Sequence, residues 1–264
     1  MKIDLSQTTF IIPLYIESAD RALNTRTTLR YLTNHLATNI IILEHDTVPK
    51  VPQILKELDL EDKLSYVFSK NSAGNDVFHR TRFLNEMLHH VKTPVVVNYD
   101  IDIVLKPEVY LECQQSILNG NDLVYPYYWG NSQWQIHNSG RSKIIDTLDL
   151  NTLTPEDYTV TRSEYGHCQF FNTNSYKEGG MENELFISYG PEDKERGYRF
   201  KTLGYKVEWL NNIVNHIEHS RGINSSSKNP HIKANHDLLD VIQKMTPTEL
   251  RNYYNNINYL KKYK

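Results

Sequence analysis

Cysteine is scarce. Two in 264 residues, Cys113 and Cys168, show neither CxxC nor paired-ligand spacing, which sets aside a disulfide framework and a thiolate metal cage and makes a reducing compartment the simpler expectation. Charge of one sign is not in excess: 29 basic and 32 acidic side chains leave a formal net charge of -3. That balance gives no broad electropositive surface for nucleic acid. No apolar stretch is long enough to span a bilayer, and the opening "MKIDLSQTTFIIPLY" is too polar and too briefly apolar for a signal peptide. The expectation is a soluble, cytoplasmic protein with no transmembrane segment and no nucleic-acid partner. No GxGxxG follows the first apolar run, and no HExxH occurs, so a dinucleotide oxidoreductase and a zinc protease both lack support.

What is present is alternation. Thr9 to Tyr15 reads as a strand rich in β-branched and aromatic residues, with Pro13 near its end where a missing N–H is tolerated. Ala22, Leu29, Leu32 and Leu36 recur at helical spacing. "NIIILEHD" then reads as a strand, Lys50 to Leu58 as a helix, "LSYVFS" as a strand, Phe78 to Val91 as a helix and "PVVVNYD" as a strand. This βαβαβαβ order predicts a mostly parallel sheet covered by helices, with ligands bound at the carboxyl ends of the strands. Beyond Trp129 the composition suggests long loops, with helical pieces at Ser142 to Leu148 and Pro191 to Leu203. "TPTEL" marks a terminal helix over Pro247 to Leu260, with Thr246 as N-cap and Glu249 at the capping-box position.

Three segments carry candidate chemistry. Asp100 and Asp102 form an Asp-x-Asp at a strand end, where hard carboxylate oxygens can hold Mg²⁺ or Mn²⁺ and the ion can clamp a diphosphate. "GGMENELFISYGPED" places Glu192 and Asp193 at a helix start, where helix capping is the plain alternative. "NHIEHSRG" places His216 and His219 three apart, and imidazole ligands shift the preference toward Mn²⁺. Solvated histidines are the plain alternative there.

The ordered set "FIIPLY", "FHRTRFLN", "NYDID", "GGMENELFISYGPED" and "HIEHSR" resembles the GT-A glycosyltransferases of the inverting β-1,4-galactosyltransferase and bacterial chondroitin-polymerase type, over about Thr9 to Arg221. The resemblance implies a GT-A, Rossmann-like α/β fold in a single domain. Residues 1–130 would form its nucleotide-sugar half, 131–225 a loop-rich acceptor and catalytic half, and 226–264 a C-terminal helical tail. It implies Asp102, His219 and His216 as metal ligands, and Asp100 as support for the ribose or donor sugar. Arg80 would contact the diphosphate, Pro13 and Tyr15 would receive the uridine, and Glu44, with Asp46 behind it, would close the second strand near the nucleoside. Gly179 and Gly180 would permit a close turn by the donor sugar. Asp193 matches the catalytic base, Glu192 an acceptor-binding acid and Tyr189 an acceptor-binding aromatic, with Tyr127, Tyr128, Trp129 and Trp134 as further stacking candidates. The family departs from this chain at Pro191, where glycine is usual, and at "LYIESADR", which replaces an arginine-rich opening.

The implied activity is Mn²⁺-dependent transfer, with Mg²⁺ as substitute, of a hexose from a UDP-sugar to a saccharide or lipid-linked saccharide. A noncatalytic carbohydrate-binding protein and a metal-dependent nucleotidyltransferase or hydrolase are the alternatives. The basic end "NINYLKKYK" could touch an anionic membrane, against the simpler reading of a frayed helix end.

Overall fold

The computed structural model describes residues 1–71 and 77–263; Lys264, the last lysine of the basic end, lies outside them. The first hundred residues alternate in the expected order: β1 (Ile3–Leu14), α1 (Ala19–His35), β2 (Leu36–Asp46), α2 (Val51–Glu57), β3 (Ser65–Lys70), α3 (Arg80–His90) and β4 (Val95–Tyr99). Strand β4 is buried at every residue, which is why Val95 to Val97 form an apolar run rather than an alternating one, and its one polar residue, Asn98, donates to the Tyr176 hydroxyl and Glu182. Strand β1 starts at Ile3, six residues before the expected Thr9. Its polar opening pairs with β2 across a register shift between Leu5 and Thr9, so the apolar signal begins only after that irregularity. Helix α1 is capped by Ser18, whose side chain accepts from the Arg21 N–H, and Leu36 opens β2 instead of closing the helix.

The remainder runs β5 (Ile103–Val104), α4 (Pro107–Leu118), β6 (Leu123–Tyr125), β7 (Gly130–Ile136), α5 (Asn138–Thr147), β8 (Tyr158–Ser163), β9 (Cys168–Asn172), α6 (Thr173–Glu178), α7 (Glu192–Thr202), β10 (Val207–Trp209), β11 (Val214–Ile217), α8 (Ile232–Ile242) and α9 (Pro247–Asn256). The expectation of long loops after Trp129 is therefore corrected. Strands β7 (GNSQWQI) and β8 (YTVTRS) are built largely from polar residues and expose part of their length, so neither gives the apolar run that announces a buried strand. The terminal helix carries the expected capping box at Thr246 and Glu249 but stops at Asn256, giving way to a 3-10 turn over Asn258–Lys262.

Two sheets result. The larger has the order β10-β6-β9-β4-β1-β2-β3; β9 runs antiparallel to both β4 and β6, and the other neighbours are parallel. The smaller has the order β5-β11-β7-β8. Its pairing of β11 with β5 sets His216 opposite Ile103, and the Ile217 N–H donates to the Asp102 carbonyl at 2.8 Å. Two segments more than a hundred residues apart thus meet at the end of β4. One apolar cluster runs from Leu5 to Leu260, and a smaller one of Phe186, Leu239, Ile242, Leu250 and Tyr254 lies where α8 and α9 pack. Both cysteines are buried and unpaired. No helix among the described residues is long and apolar enough to cross a membrane.

Candidate active site

Strand β1 lies parallel to β4, with Ile11 beside Asn98, so its last residues, Pro13 and Leu14, and Tyr15 just after them come out beside Asp100. The cleft at these strand ends has a volume of about 320 Å³, and Pro13, Tyr15, Arg80, Asp100, Asp102, Tyr189, Glu192, Asp193, His216 and His219 all line it. The Tyr15 and Phe78 rings stand nearly parallel at its wall, 6.2 Å between centroids.

Asp102 is 6% exposed. His219 Nε2 lies 3.0 Å from its Oδ2, His216 Nε2 3.7 Å from its Oδ1, and Arg21 Nη1 3.9 Å from Oδ2. Burial works against the Asp102 charge, but His216, His219 and Arg21 outweigh it and hold the carboxyl below the ordinary range. The far nitrogens fix both imidazoles. His219 Nδ1–H donates to the Ser220 carbonyl at 2.8 Å, an acceptor only. His216 Nδ1 faces Gln135 Oε1 at 2.9 Å, an oxygen that already accepts from Gln133 Nε2–H at 2.9 Å. Both Nε2 lone pairs are thereby turned toward a carboxylate. With a proton on each imidazole, His216 and His219 offset the Asp102 charge; without it, three ligand atoms within 4.8 Å of one another meet with no donor among them, an arrangement that a divalent cation relieves. Two imidazoles beside one carboxylate suit Mn²⁺ better than Mg²⁺, and the Gln135 and Ser220 partners orient them as outer-shell groups do around metals.

On the opposite side Asp193 stands in the first turn of α7. Its Oδ1 accepts from Arg196 Nη1 at 2.8 Å and lies 3.6 Å from Arg80 Nη1, while Arg80 Nη2 reaches Asp100 Oδ1 at 2.8 Å. Arg196 is fully buried and forks onto both oxygens of Glu182 at 2.6 Å. One chain of charges, from Glu182 through Arg196, Asp193 and Arg80 to Asp100, spans the cleft. Asp193 Oδ2 is left toward Gly166, where a Cβ would sit 3.4 Å away. Beside it, burial and the Asp193 charge push Glu192 up to about 8, and its Oε2 is buried with no hydrogen-bond partner. Burial likewise raises Asp100 against the pull of Arg80.

Other sequence expectations land elsewhere. Glu44 is fully buried and does not line the cleft, because its carboxylate accepts from the Lys50 and Val51 N–H groups at the start of α2 and from the Tyr66 hydroxyl. Asp46 pairs with Lys50 at 2.7 Å. Gly180, at φ +98°, lies against Tyr254 of α9 rather than the cleft, and a Cβ there would come within 2.5 Å of that ring. The Gly179 carbonyl is taken by Arg199. Tyr127 is buried with its hydroxyl on the Gly166 carbonyl, Tyr128 bonds Asn131, and Trp134 stacks on Tyr158 at 3.9 Å. Trp129, which stays partly exposed, packs edge-on against Tyr165. None of the four stacking candidates lines the cleft.

Among the cleft or support residues with no sequence reading are Arg21, Gly166, His167, Ser188, Glu182 and Arg196. Arg196 follows Asp193 at i,i+3 in "EDKER", a spacing that placed it beside the acid once the helix was granted. Nothing local marked His167.

No family model matches the chain, and no curated protein matches it. Solved structures do. The mannosyltransferase PcManGT from Pyrobaculum calidifontis, in complex with GDP-Man and Mn²⁺, superposes with a TM-score of 0.58 at 13% identity, covering 97% of this chain and 72% of that one. GalNAc-T7 with UDP, GalNAc and Mn²⁺ gives 0.56 at 12% identity, covering 97% and 53%. TarS from S. aureus gives 0.52 at 12% identity, covering 83% and 37%. The chain spans about half the length of the GalNAc-T7 chain and less of TarS. Its fold is that of the GT-A glycosyltransferases.

Proposed function

We propose that the chain is a metal-dependent inverting glycosyltransferase that moves a hexose, Gal, GalNAc, Glc or GlcNAc, from a UDP-sugar to a saccharide hydroxyl, free or lipid-linked, in the synthesis of surface polysaccharide or glycan. One observation carries the reading: the Asp102, His216 and His219 ligand atoms and the Asp193 carboxylate share a cleft, with Arg80 reaching from Asp193 to Asp100. The GT-A fold, and neighbours solved with Mn²⁺ beside GDP-Man or UDP, support it.

Asp102, His216 and His219 would hold Mn²⁺, or Mg²⁺ less well. A divalent ion there supplies neutralising charge to a departing diphosphate. Arg80, between Asp100 and Asp193, adds a second positive charge in the same cleft, and Pro13, Tyr15 and Asp100 receive the nucleoside and ribose. Arg196 holds Asp193 Oδ1, so that Oδ2 takes the proton of the acceptor hydroxyl as its oxygen attacks the anomeric carbon and the carbon–oxygen bond to UDP breaks. General-base action of this kind contributes about 10²- to 10⁴-fold. A single displacement inverts the anomeric centre, so an α-linked donor gives a β-glycoside. Glu192, protonated at neutral pH by its raised pKa, and Tyr189 orient the acceptor.

The test is release of free nucleoside diphosphate with Mn²⁺ across a panel of UDP-hexoses and GDP-mannose, with and without saccharide acceptors. Acceptor-dependent release supports transfer. Equal release without acceptor indicates a hydrolase, and binding without release indicates a carbohydrate-binding protein.

A further inference from the structure

His167 is one of five described non-glycine residues at positive φ, at +74°, a conformation that side chains with a Cβ adopt only at a cost. It lies between the Gly166 that faces Asp193 Oδ2 and the start of β9. Its main-chain carbonyl accepts from the Asp100 N–H at 3.0 Å, so the same residue is latched to the Asp-x-Asp segment. The left-handed backbone turns the imidazole into the cleft, which it lines. There the ring stands edge-on to Tyr127, 5.6 Å between centroids, and 5.8 Å from the His216 ring. Neither contact uses a ring nitrogen, and among the described residues no side-chain hydrogen bond or ion pair engages them. Strain of this kind persists where the surroundings impose it, and here those surroundings are the two ends of the proposed reaction path.

We infer that His167 is a specificity-determining residue whose ring nitrogens hydrogen-bond a hydroxyl of the sugar being transferred, between the diphosphate side at Asp102 and His216 and the acceptor side at Asp193. This rests on the glycosyltransferase reading above. An imidazole with one donor and one acceptor nitrogen fits a hydroxyl, which is both. Its ring stands 5.8 Å from the His216 ring while its chain neighbour Gly166 faces Asp193 Oδ2, so it lies between the diphosphate side and the acceptor side of that reading, where the transferred sugar would sit.

The experiment compares wild type, His167→Ala and His167→Gly by calorimetric titration with UDP, and with each of UDP-Gal, UDP-GalNAc, UDP-Glc and UDP-GlcNAc, in Mn²⁺. Both variants are expected to bind UDP within about twofold of wild type and to bind the preferred UDP-sugar about tenfold more weakly, the effect of one lost hydrogen bond. Because glycine accepts φ +74° without strain, His167→Gly is also expected to melt at or above the wild-type temperature. Sugar affinity would then fall while stability does not, which a merely structural residue cannot produce. Unchanged UDP-sugar affinity overturns the inference, as does an equal loss for UDP and UDP-sugar. A wild type that binds no nucleotide in Mn²⁺ overturns the glycosyltransferase reading itself.

Discussion

Between β1 and β4 the fully buried side chains are chiefly aliphatic and aromatic, Phe10, Ile11, Ile12, Leu29, Leu84 and Val95 to Val97 among them, whereas between Met181 and Phe200 they include Glu182, Glu195, Arg196 and Arg199. The first region is held by burial of apolar surface, at roughly 25 cal/mol per Å² removed from water. The second spends that advantage on charges, which fold stably only when each finds its partner. Glu182 receives Arg196 and the Tyr176 hydroxyl, and Glu195 receives Arg199 and the Tyr254 hydroxyl. The difference teaches where rigidity is needed: a sheet tolerates interchangeable aliphatics, but a carboxylate that must keep one oxygen toward a substrate requires a directed, charged partner.

The comparison breaks first at its functional end. Asp193→Asn is expected to lower acceptor-dependent UDP release by about 10²- to 10⁴-fold while nucleotide-sugar binding persists; an activity within threefold of wild type would remove Asp193 from the reaction. Arg196→Met leaves Glu182 charged, buried and without its fork, and should destabilise by about 3–5 kcal/mol in denaturant unfolding. The double variant Glu182→Leu with Arg196→Met should recover much of that loss and still fail in turnover, separating the ion pair's contribution to stability from its contribution to positioning.

Smaller effects sharpen the same contrast. Gln135→Ala frees the Nδ1 end of His216 and is expected to weaken Mn²⁺ binding about 10- to 100-fold, read by titration of the metal alone. Glu192 links stability to pH. Its folded pKa, about 8, exceeds the ordinary value of 4.5, so the folded state keeps a proton that the unfolded chain releases, and stability is lost as pH rises from 4.5 toward 8. Glu192→Gln should match wild type near pH 4.5 and melt a few degrees higher at pH 8, by calorimetry. Thr246→Ala removes the α9 cap and should cost about 1 kcal/mol, with no change in metal or nucleotide affinity.

Legibility followed the same divide. Alternation from β1 to β4, the capping box of α9 and the position of Asp100 and Asp102 at a strand end were readable because period, cap and apolar run are local properties. Strands β7, β8 and β11 were not, since their partly polar sequences carry no period that distinguishes them from loops. Glu44 is a different case. The resemblance implied a place near the nucleoside, whereas its carboxylate accepts from the N-terminus of α2 and does not line the cleft, a partnership that no strand pattern reveals. Gly180 also lies away from the cleft, since the tight approach it permits is to Tyr254, seventy-four residues on.

By itself the sequence determined the parallel α/β framework and the residue types available for chemistry, because hydrophobic period and helix caps act within a few neighbours. Only the tertiary structure decided that His216 and His219 face Asp102, that Arg196 takes one oxygen of Asp193, and that a strained histidine enters between them. Those relations depend on the pairing of β11 with β5 and on buried charges finding partners. Each is fixed by the free energy of long-range contacts rather than by any local pattern.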